Sequence, residues 1–369
     1  MEENRNQTFK DFSMERGLDA GYKRAERKVE KHFFEPMHWT TLDNKEFSKQ
    51  RWLVQNLIPY EGFVILASVT GEKKTWFAME MARCIALGID FLGNKDFKTE
   101  AGNVLYVDME MSQSEAQRRG KQLGFSETNK KILVYSDTEL DLNEDRGVDW
   151  LLNVIDYYDI KVVFLDTFRA VAGGIKEEKA DEIRTFFNRL KILKDKGVAV
   201  VFLDHFRKPS NFEGKVPKKE FLFGSTDKTA SVEILLMLKS EPGGEEIDVY
   251  QRKNRLTREI NPFKTIIRDH VKDEIVKTEL TYGGEIEDQE NKKEEAKEKI
   301  LDILPDGSKT KREMVEMLKK TAGTKNVQMA LIELVNEGMI DCVKQGRQNL
   351  YFLPREEEKP LVEDEKGLF

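Results

Sequence analysis

The segment Ser68-Val69-Thr70-Gly71-Glu72-Lys73-Lys74-Thr75 holds residue types that can bind a phosphate. A phosphate loop of the form G-x-x-x-x-G-K-[ST] wraps backbone N–H groups and a helix N-terminus around the phosphates. Its lysine faces the β- and γ-phosphates and its hydroxyl serves Mg²⁺. Lys74 and Thr75 stand in the right order, while Ser68 and Lys73 replace the two glycines. Ser68 is a mild change, because that position needs a small residue. A left-handed backbone at Lys73 costs about 1–2 kcal/mol, and its side chain must then point away from the phosphates. Taken alone, the segment fits a nucleotide site and an ordinary β-turn-α connection equally well.

Three polar strand ends follow in order. Asn103–Val107 ends in Asp108-Met109-Glu110. A glutamate just past a strand tip, next to the phosphate-loop strand, can orient and deprotonate an attacking water. Lys161–Leu165 ends in Asp166, a carboxylate suited to the water shell of Mg²⁺. Val198–Leu203 ends in Asp204-His205-Phe206-Arg207-Lys208, which can sense a terminal phosphate. One acidic residue at a strand end commonly just begins a turn. Three in order after a Lys-Thr loop point to a shared site.

The elements that must position these residues are legible as alternation. Gly62–Ala67, Asn103–Met109, Lys161–Thr167 and Val198–Asp204 are nearly continuous in apolar residues, as strands buried on both faces are. Helix-period stretches lie between them: TWFAMEMARCIALG, SQSEAQRRGKQLG, VDWLLNVIDYY and ADEIRTFFNRLKILKDKG. This order predicts an α/β fold with a mostly parallel, twisted sheet, whose ligand lies at the carboxyl ends of the strands. Val232–Leu238, Ile247–Lys253 and Phe263–Asp269 are expected to continue the sheet as hairpins at one edge. The expected organisation is a polar, partly helical segment over 1–48, a core over 49–283, a charged linker over 284–295, a compact unit over 296–354 and an acidic disordered tail over 355–369.

Composition narrows the classes. Charged residues make up 35% of the 369, and no apolar run approaches the roughly 20 residues that span a membrane. The N-terminus lacks a signal-peptide core. Cys84 and Cys342 are the two cysteines, too far apart for metal-ligand spacing, so the expectation is a reducing cytoplasm without membrane contact. A net charge of −7 leaves polyanion binding to local basic patches.

From about Trp52 to Asp269 the chain resembles the RecA-like hexameric ATPases, especially the RepA-type replicative helicases of plasmids and phages. The resemblance is carried by the Gly-x-Lys-Lys-Thr loop, VLYVDMEMS, VVFLDT, the Asp204–Lys208 stretch, Gly224-Ser225 and Lys253-Asn254-Arg255. It implies ATP and Mg²⁺ as ligands, with Ser68, Thr70, Gly71, Lys73, Lys74 and Thr75 around the phosphates and Thr75 and Asp166 serving the metal through water. It also implies Glu110 as catalytic base, His205 as γ-phosphate sensor, and Arg255 as an arginine finger reaching a neighbour's ATP, with Lys253 beside it. Asp204 departs from the family, which has histidine there. A finger acting in trans implies a homo-oligomer, by resemblance a hexameric ring, and the segment up to Pro36 can serve as a strap between subunits.

In such rings the loops after the second and third of these strands face the channel and bind single-stranded DNA. Here they are Thr167–Lys179 and His205–Phe221. The latter offers Arg207, Lys208, Lys215, Lys218 and Lys219, with Phe206, Phe212 and Phe221 interleaved for stacking on bases. An ordinary flexible surface loop is the alternative. Residues 296–354 read as a winged helix whose third helix begins with Lys325, Asn326 and Gln328 and whose wing tip carries Arg347. Ten basic against eight acidic residues leave DNA binding and protein contact, for example with a replication protein, equally open. The resulting expectation is an ATP-dependent motor on single-stranded DNA serving replication of a mobile element. The alternative is a degenerate nucleotide-binding scaffold that acts through its winged helix.

Overall fold

The computed structural model describes residues 38–46, 49–136, 140–208, 216–286, 289–346 and 348–354. The proposed strap up to Pro36, Phe212, Lys215, Arg347 and the acidic tail lie outside these residues. The chain divides into two compact units, Met1–Ile286 and Glu287–Phe369. Among the described residues no helix is long and apolar enough to cross a membrane.

The first unit is built on strands β1 (Phe63–Ser68), β2 (Asn103–Asp108), β3 (Ile132–Tyr135), β4 (Ile160–Asp166), β5 (Ala199–His205), β6 (Ile234–Lys239), β7 (Glu246–Asn254), β8 (Phe263–Lys272) and β9 (Ile275–Glu285). Their order across one sheet is β3-β2-β4-β5-β1-β6-β7-β8-β9. From β3 to β6 all neighbours are parallel, and β7, β8 and β9 follow antiparallel. Every residue of β1 is buried. Val64 and Leu66 enter the core on one face, and Phe63, Ile65 and Ala67 enter the other. This double burial is why the strand reads as a continuous apolar run.

Helices cover both faces. The α1 helix (Lys74–Leu87) packs Phe77, Ala78, Met81 and Ile85 on the first face. The helices α2 (Gln113–Gln122), α3 (Asp145–Tyr158), α4 (Phe168–Val171), α5 (Ala180–Asp195) and α6 (Ser225–Ser231) complete the connections. On the second face α3 contributes Leu151 and Val154, and α5 contributes Ile183, Phe186 and Leu190. The α2 start is capped by Ser112, whose hydroxyl accepts from the Glu115 N–H at 3.3 Å.

Three expectations need correction. The Glu110 strand is not next to the phosphate-loop strand, since β4 and β5 lie between β2 and β1. Chain order does not dictate spatial order when each connection is a crossover helix. The segment Val232–Leu238 forms the expected antiparallel hairpin with β7 but does not lie at an edge, because β6 also runs parallel to β1 in the interior of the sheet. The stretch 284–295 is not simply a linker: β9 runs to Glu285 and α7 (Gln289–Ile303) begins soon after. Its mixed Lys and Glu residues support a helix through pairs such as Glu295–Lys299, 2.6 Å apart.

The second unit consists of α7, β10 (Lys309–Thr310), α8 (Lys311–Leu318), α9 (Thr324–Asn336), β11 (Asp341–Gln345) and β12 (Gln348–Phe352). The strands form an antiparallel sheet in the order β10-β12-β11. Thr310 and Glu313 form a reciprocal capping box at the start of α8. Ala296, Ile300, Met314, Val327, Leu331 and Tyr351 make the core of this unit. Lys297 reaches from α7 to Glu333 at 2.9 Å and to Glu337 at 2.8 Å.

Candidate functional site

The site lies at the carboxyl ends of β1, β5, β4 and β2. The connection from β1 to α1 turns through Gly71, whose φ of +88° is the conformation that favours glycine, and through Lys73 with φ +57°. The next turn begins a 14-residue helix, whose first amides have no intrahelical acceptor and face this edge. Lys73 is therefore in the left-handed region, as the motif position demands. Its ammonium donates to the Gly244 carbonyl in the turn between β6 and β7. Glu72 bends back to accept from the Val69 N–H at 3.3 Å. Burial pushes the Glu72 carboxyl up to about 7, partly opposed by the Val69 N–H and by Lys239. Two consecutive loop side chains are thus engaged away from the phosphate position.

Lys74 points the other way. It is buried, and its ammonium donates to the Asp204 carbonyl at 3.2 Å. Burial pulls its pKa below the ordinary lysine value, while Asp166, Glu110 and Asp204 hold it up. The Thr75 hydroxyl donates to Asp166 Oδ2 at 3.0 Å. Asp166 is 1% exposed, and burial raises its carboxyl pKa against the pull of Lys74. Its Oδ1 finds no hydrogen-bond partner among the described residues. An orphaned carboxylate oxygen beside a threonine hydroxyl fits Mg²⁺ held through water and phosphate, the usual mode for this ion. Among the described residues no group of three or more His, Cys, Asp or Glu could hold a metal by itself.

Glu110 reaches this edge although its strand is remote. Asp108 Oδ1 accepts from the N–H groups of Glu110 and Met111 at 3.0 and 2.9 Å, which turns the chain sharply after β2. Glu110 Oε1 then lies 3.6 Å from His205 Nε2. The contact with His205, followed by the field of Lys74, lowers the Glu110 pKa and keeps it ionised despite its partial burial. A carboxylate in that state can orient a water and accept its proton. Tyr106 was not singled out from the sequence. Its hydroxyl donates to Asp166 Oδ2 at 3.1 Å, and its ring stacks on Phe164, so it aims the carboxylate. A tyrosine inside an apolar strand run gave no signal beyond strand propensity.

The other expected residues divide. Ser68 is buried and Thr70 exposed at the loop. Lys253 and Arg255 are not brought to this site. Asn254 pairs with Ile234, which pairs with Val64 at the opposite end of β1 from Ser68. Four residues of strand separate the two levels, roughly 13 Å. Lys253 donates to the Thr229 carbonyl and Arg255 to the Ala230 carbonyl, both in α6. Burial, reinforced by Arg255, lowers the Lys253 pKa to about 8.

In the expected DNA loop, Lys208 and Lys219 are exposed and Lys218 is half-buried. Arg207 lies over the Phe221 ring at 4.7 Å. Phe206 and Phe221 are 4% and 2% exposed and belong to the core, which corrects the expectation that they stack on bases. The chain pairs Phe206 with Leu222 to close the loop base, and that base buries both rings. In the second unit Lys325 is exposed and Gln328 half-buried. Asn326 is not a base contact: it is 6% exposed and its amide donates to the Ala322 carbonyl at 2.9 Å.

With this geometry in hand, comparison with known proteins gives two findings. The AAA domain family matches residues 30–211, which span β1 through β5. A solved structure described as a DnaB-like replicative helicase and its interactions with primase is similar at 15% identity and a TM-score of 0.44, over 68% of this chain and 65% of that one. The present chain thus spans slightly under two thirds of that helicase's length. No curated protein matches the sequence.

Two expectations follow from the loop. Lys73→Ala keeps the left-handed strain and loses the bond to Gly244, whereas Lys73→Gly loses the bond and relieves the strain. The glycine variant should therefore be the more stable of the two by about 1 kcal/mol in denaturant titrations. Glu72, protonated more readily when folded, contributes stability that is fully present below its ordinary pKa of 4.5 and is lost as pH rises through about 7. Glu72→Gln should accordingly melt higher than wild type at pH 8 and show no such advantage at pH 4.5.

Proposed function

We propose that the chain is an ATP-dependent, RecA-like motor that assembles as a ring, by resemblance a hexamer, and acts on single-stranded DNA. The observation that carries this reading is the convergence of Lys74, Thr75, Asp166, Glu110 and His205, from four separate segments, on one edge of the sheet. In this reading Lys74 neutralises the terminal phosphates. Thr75 and Asp166 hold the water shell of Mg²⁺, which supplies charge neutralisation when bound. Glu110 orients and deprotonates the attacking water, and His205 Nε2 reports the terminal phosphate to it. The AAA domain match over this region supports nucleotide chemistry. Glycines are absent at two motif positions, but Lys73 already adopts the required left-handed turn, with its side chain directed at Gly244 rather than at the phosphates.

The placement of Arg255 at the far end of its own sheet supports a role in trans, since the guanidinium cannot span that distance to its own loop. The exposed Lys208 and Lys219 suit the phosphates of a single strand. Replication of a plasmid, phage or other mobile element in a cytoplasm is the setting this reading implies.

A second reading concerns residues 296–354, taken as a winged helix. The outward stripe of α9 runs Lys325, Met329, Ile332 and Asn336, with Ile332 59% and Met329 43% exposed. An apolar stripe where a DNA-reading helix needs polar side chains favours protein contact over duplex DNA. If the core did not turn over nucleotide, this unit would carry the function, as a scaffold.

Steady-state ATP hydrolysis with and without single-stranded DNA tests the motor. Wild type should hydrolyse ATP with stimulation by DNA, and Lys74→Ala should lose about 10²–10³-fold. Absence of turnover in folded wild type sinks the proposal and leaves the scaffold. Arg255→Ala should be similarly impaired. Mixing it with Lys74→Ala should recover part of the activity, because only a mixed assembly sets an intact Lys74 against an intact Arg255. No recovery in verified mixed oligomers would refute action in trans.

A further inference from the structure

A second buried cation lies behind the site, and nothing in the motif accounts for it. Lys228, in α6, is fully buried. Its ammonium donates to Asp204 Oδ2 at 2.6 Å and to Glu177 at 2.5 Å, and it sits 4.1 Å from the Phe168 ring centroid. Its partners belong to two different elements. Asp204 is the tip of β5: its carbonyl receives Lys74, and its Oδ1 receives the His205 N–H at 2.8 Å. Phe168 and Glu177 begin and close the loop after β4, one of the two stretches expected to face single-stranded DNA.

The backbone of the same helix meets a third element. The carbonyls of Thr229 and Ala230, the next two residues, accept from Lys253 and Arg255. The helix is fixed at its start as well. Gly224 has φ +76°, and a Cβ there would lie 2.5 Å from the Glu177 carbonyl oxygen. Asp227 accepts from Arg184 of α5 at 3.3 Å. One turn of helix therefore bonds to the strand tip that receives Lys74, to the loop after β4 and to the arginine expected to serve a neighbour.

We propose that Lys228 is a positioning residue that couples the loop after β4 to the nucleotide edge and to Arg255. Displacement of Glu177 by a bound strand shifts the ammonium between its two carboxylates. That shift moves Asp204 against Lys74 and His205 on one side, and the Thr229 and Ala230 carbonyls under Lys253 and Arg255 on the other. The pairing also gives a physical reason for an aspartate at 204: a buried lysine at 228 requires a buried carboxylate partner. This inference rests on the motor reading.

The test compares ATP turnover with and without a single-stranded oligothymidylate in wild type, Lys228→Met and Glu177→Gln, using the full chain. The ratio of stimulated to basal turnover does not depend on the fraction of active protein, so a merely structural loss leaves it unchanged. Lys228→Met should lose the stimulation with little change in KM for ATP. Glu177→Gln, at a partly exposed position that keeps the Lys228–Asp204 pair, should lose part of it and guards against failure of the methionine variant to fold. A wild-type ratio in Glu177→Gln, or in folded Lys228→Met, overturns the coupling while leaving the motor intact. Wild type without turnover overturns the motor, and the coupling with it.

Discussion

The structure depends on how buried charge is balanced at the carboxyl edge of the sheet. Asp108, Asp166 and Asp204 are each at most 3% exposed. Removing an ion from water costs several kcal/mol unless it is paired and hydrogen-bonded. Lys74 and Lys228 are buried with them, and backbone N–H groups of residues 110, 111 and 205 supply further donors. Asp204 is fully provided for. Asp166 is not, since its Oδ1 has no partner among the described residues and its pKa is raised by burial. A residual negative charge held rigidly by Tyr106 and Thr75 is a poor way to stabilise a fold. It suits an edge arranged for a divalent cation.

The loop between β1 and α1 meets a second constraint. A lysine in a left-handed turn is strained, and an apolar or free side chain there would leave that strain uncompensated. The bond from Lys73 to Gly244 and the return of Glu72 to Val69 tie the loop to the turn between β6 and β7. The departure from glycine is thus accompanied by local contacts that no glycine could make. Strained positions of this kind persist where the surroundings over-determine them.

Much of this was legible in the sequence, and the failures have physical reasons. The apolar strand runs and the helical stretches between them identified β1, β2, β4 and β5 because burial on both faces imposes composition directly. Ile132–Tyr135 and Ile275–Glu285 gave weaker signals: the first is a short edge strand, the second alternates polar and apolar residues on an exposed hairpin. Glu110 was expected at the same edge as Lys74, but through the wrong neighbouring strand, because crossover connections hide spatial order. Phe206, Phe221 and Asn326 were assigned to surfaces by residue type, and packing decided otherwise. Lys228 was invisible, since a lysine in a polar seven-residue helix is nearly always solvated and only the tertiary fold brings Asp204 and Glu177 around it.

The same helix bears on how the two ends of the sheet can act together. The loop before α1 stands at one end and Arg255 at the other, so a single chain holds the two unlike halves of the proposed site facing opposite ways. If Arg255 serves a neighbour as proposed, the halves meet between subunits related head to tail, the arrangement whose closure is the proposed ring. In the proposed ring, a subunit's response to bound nucleotide would have to reach its other end to affect the neighbour. A rigid nine-stranded sheet transmits little of a small displacement at one edge. A short helix bonded to Asp204 through one side chain and to Arg255 through its carbonyls spans that distance with few intermediates, which makes α6 the economical route between the two halves.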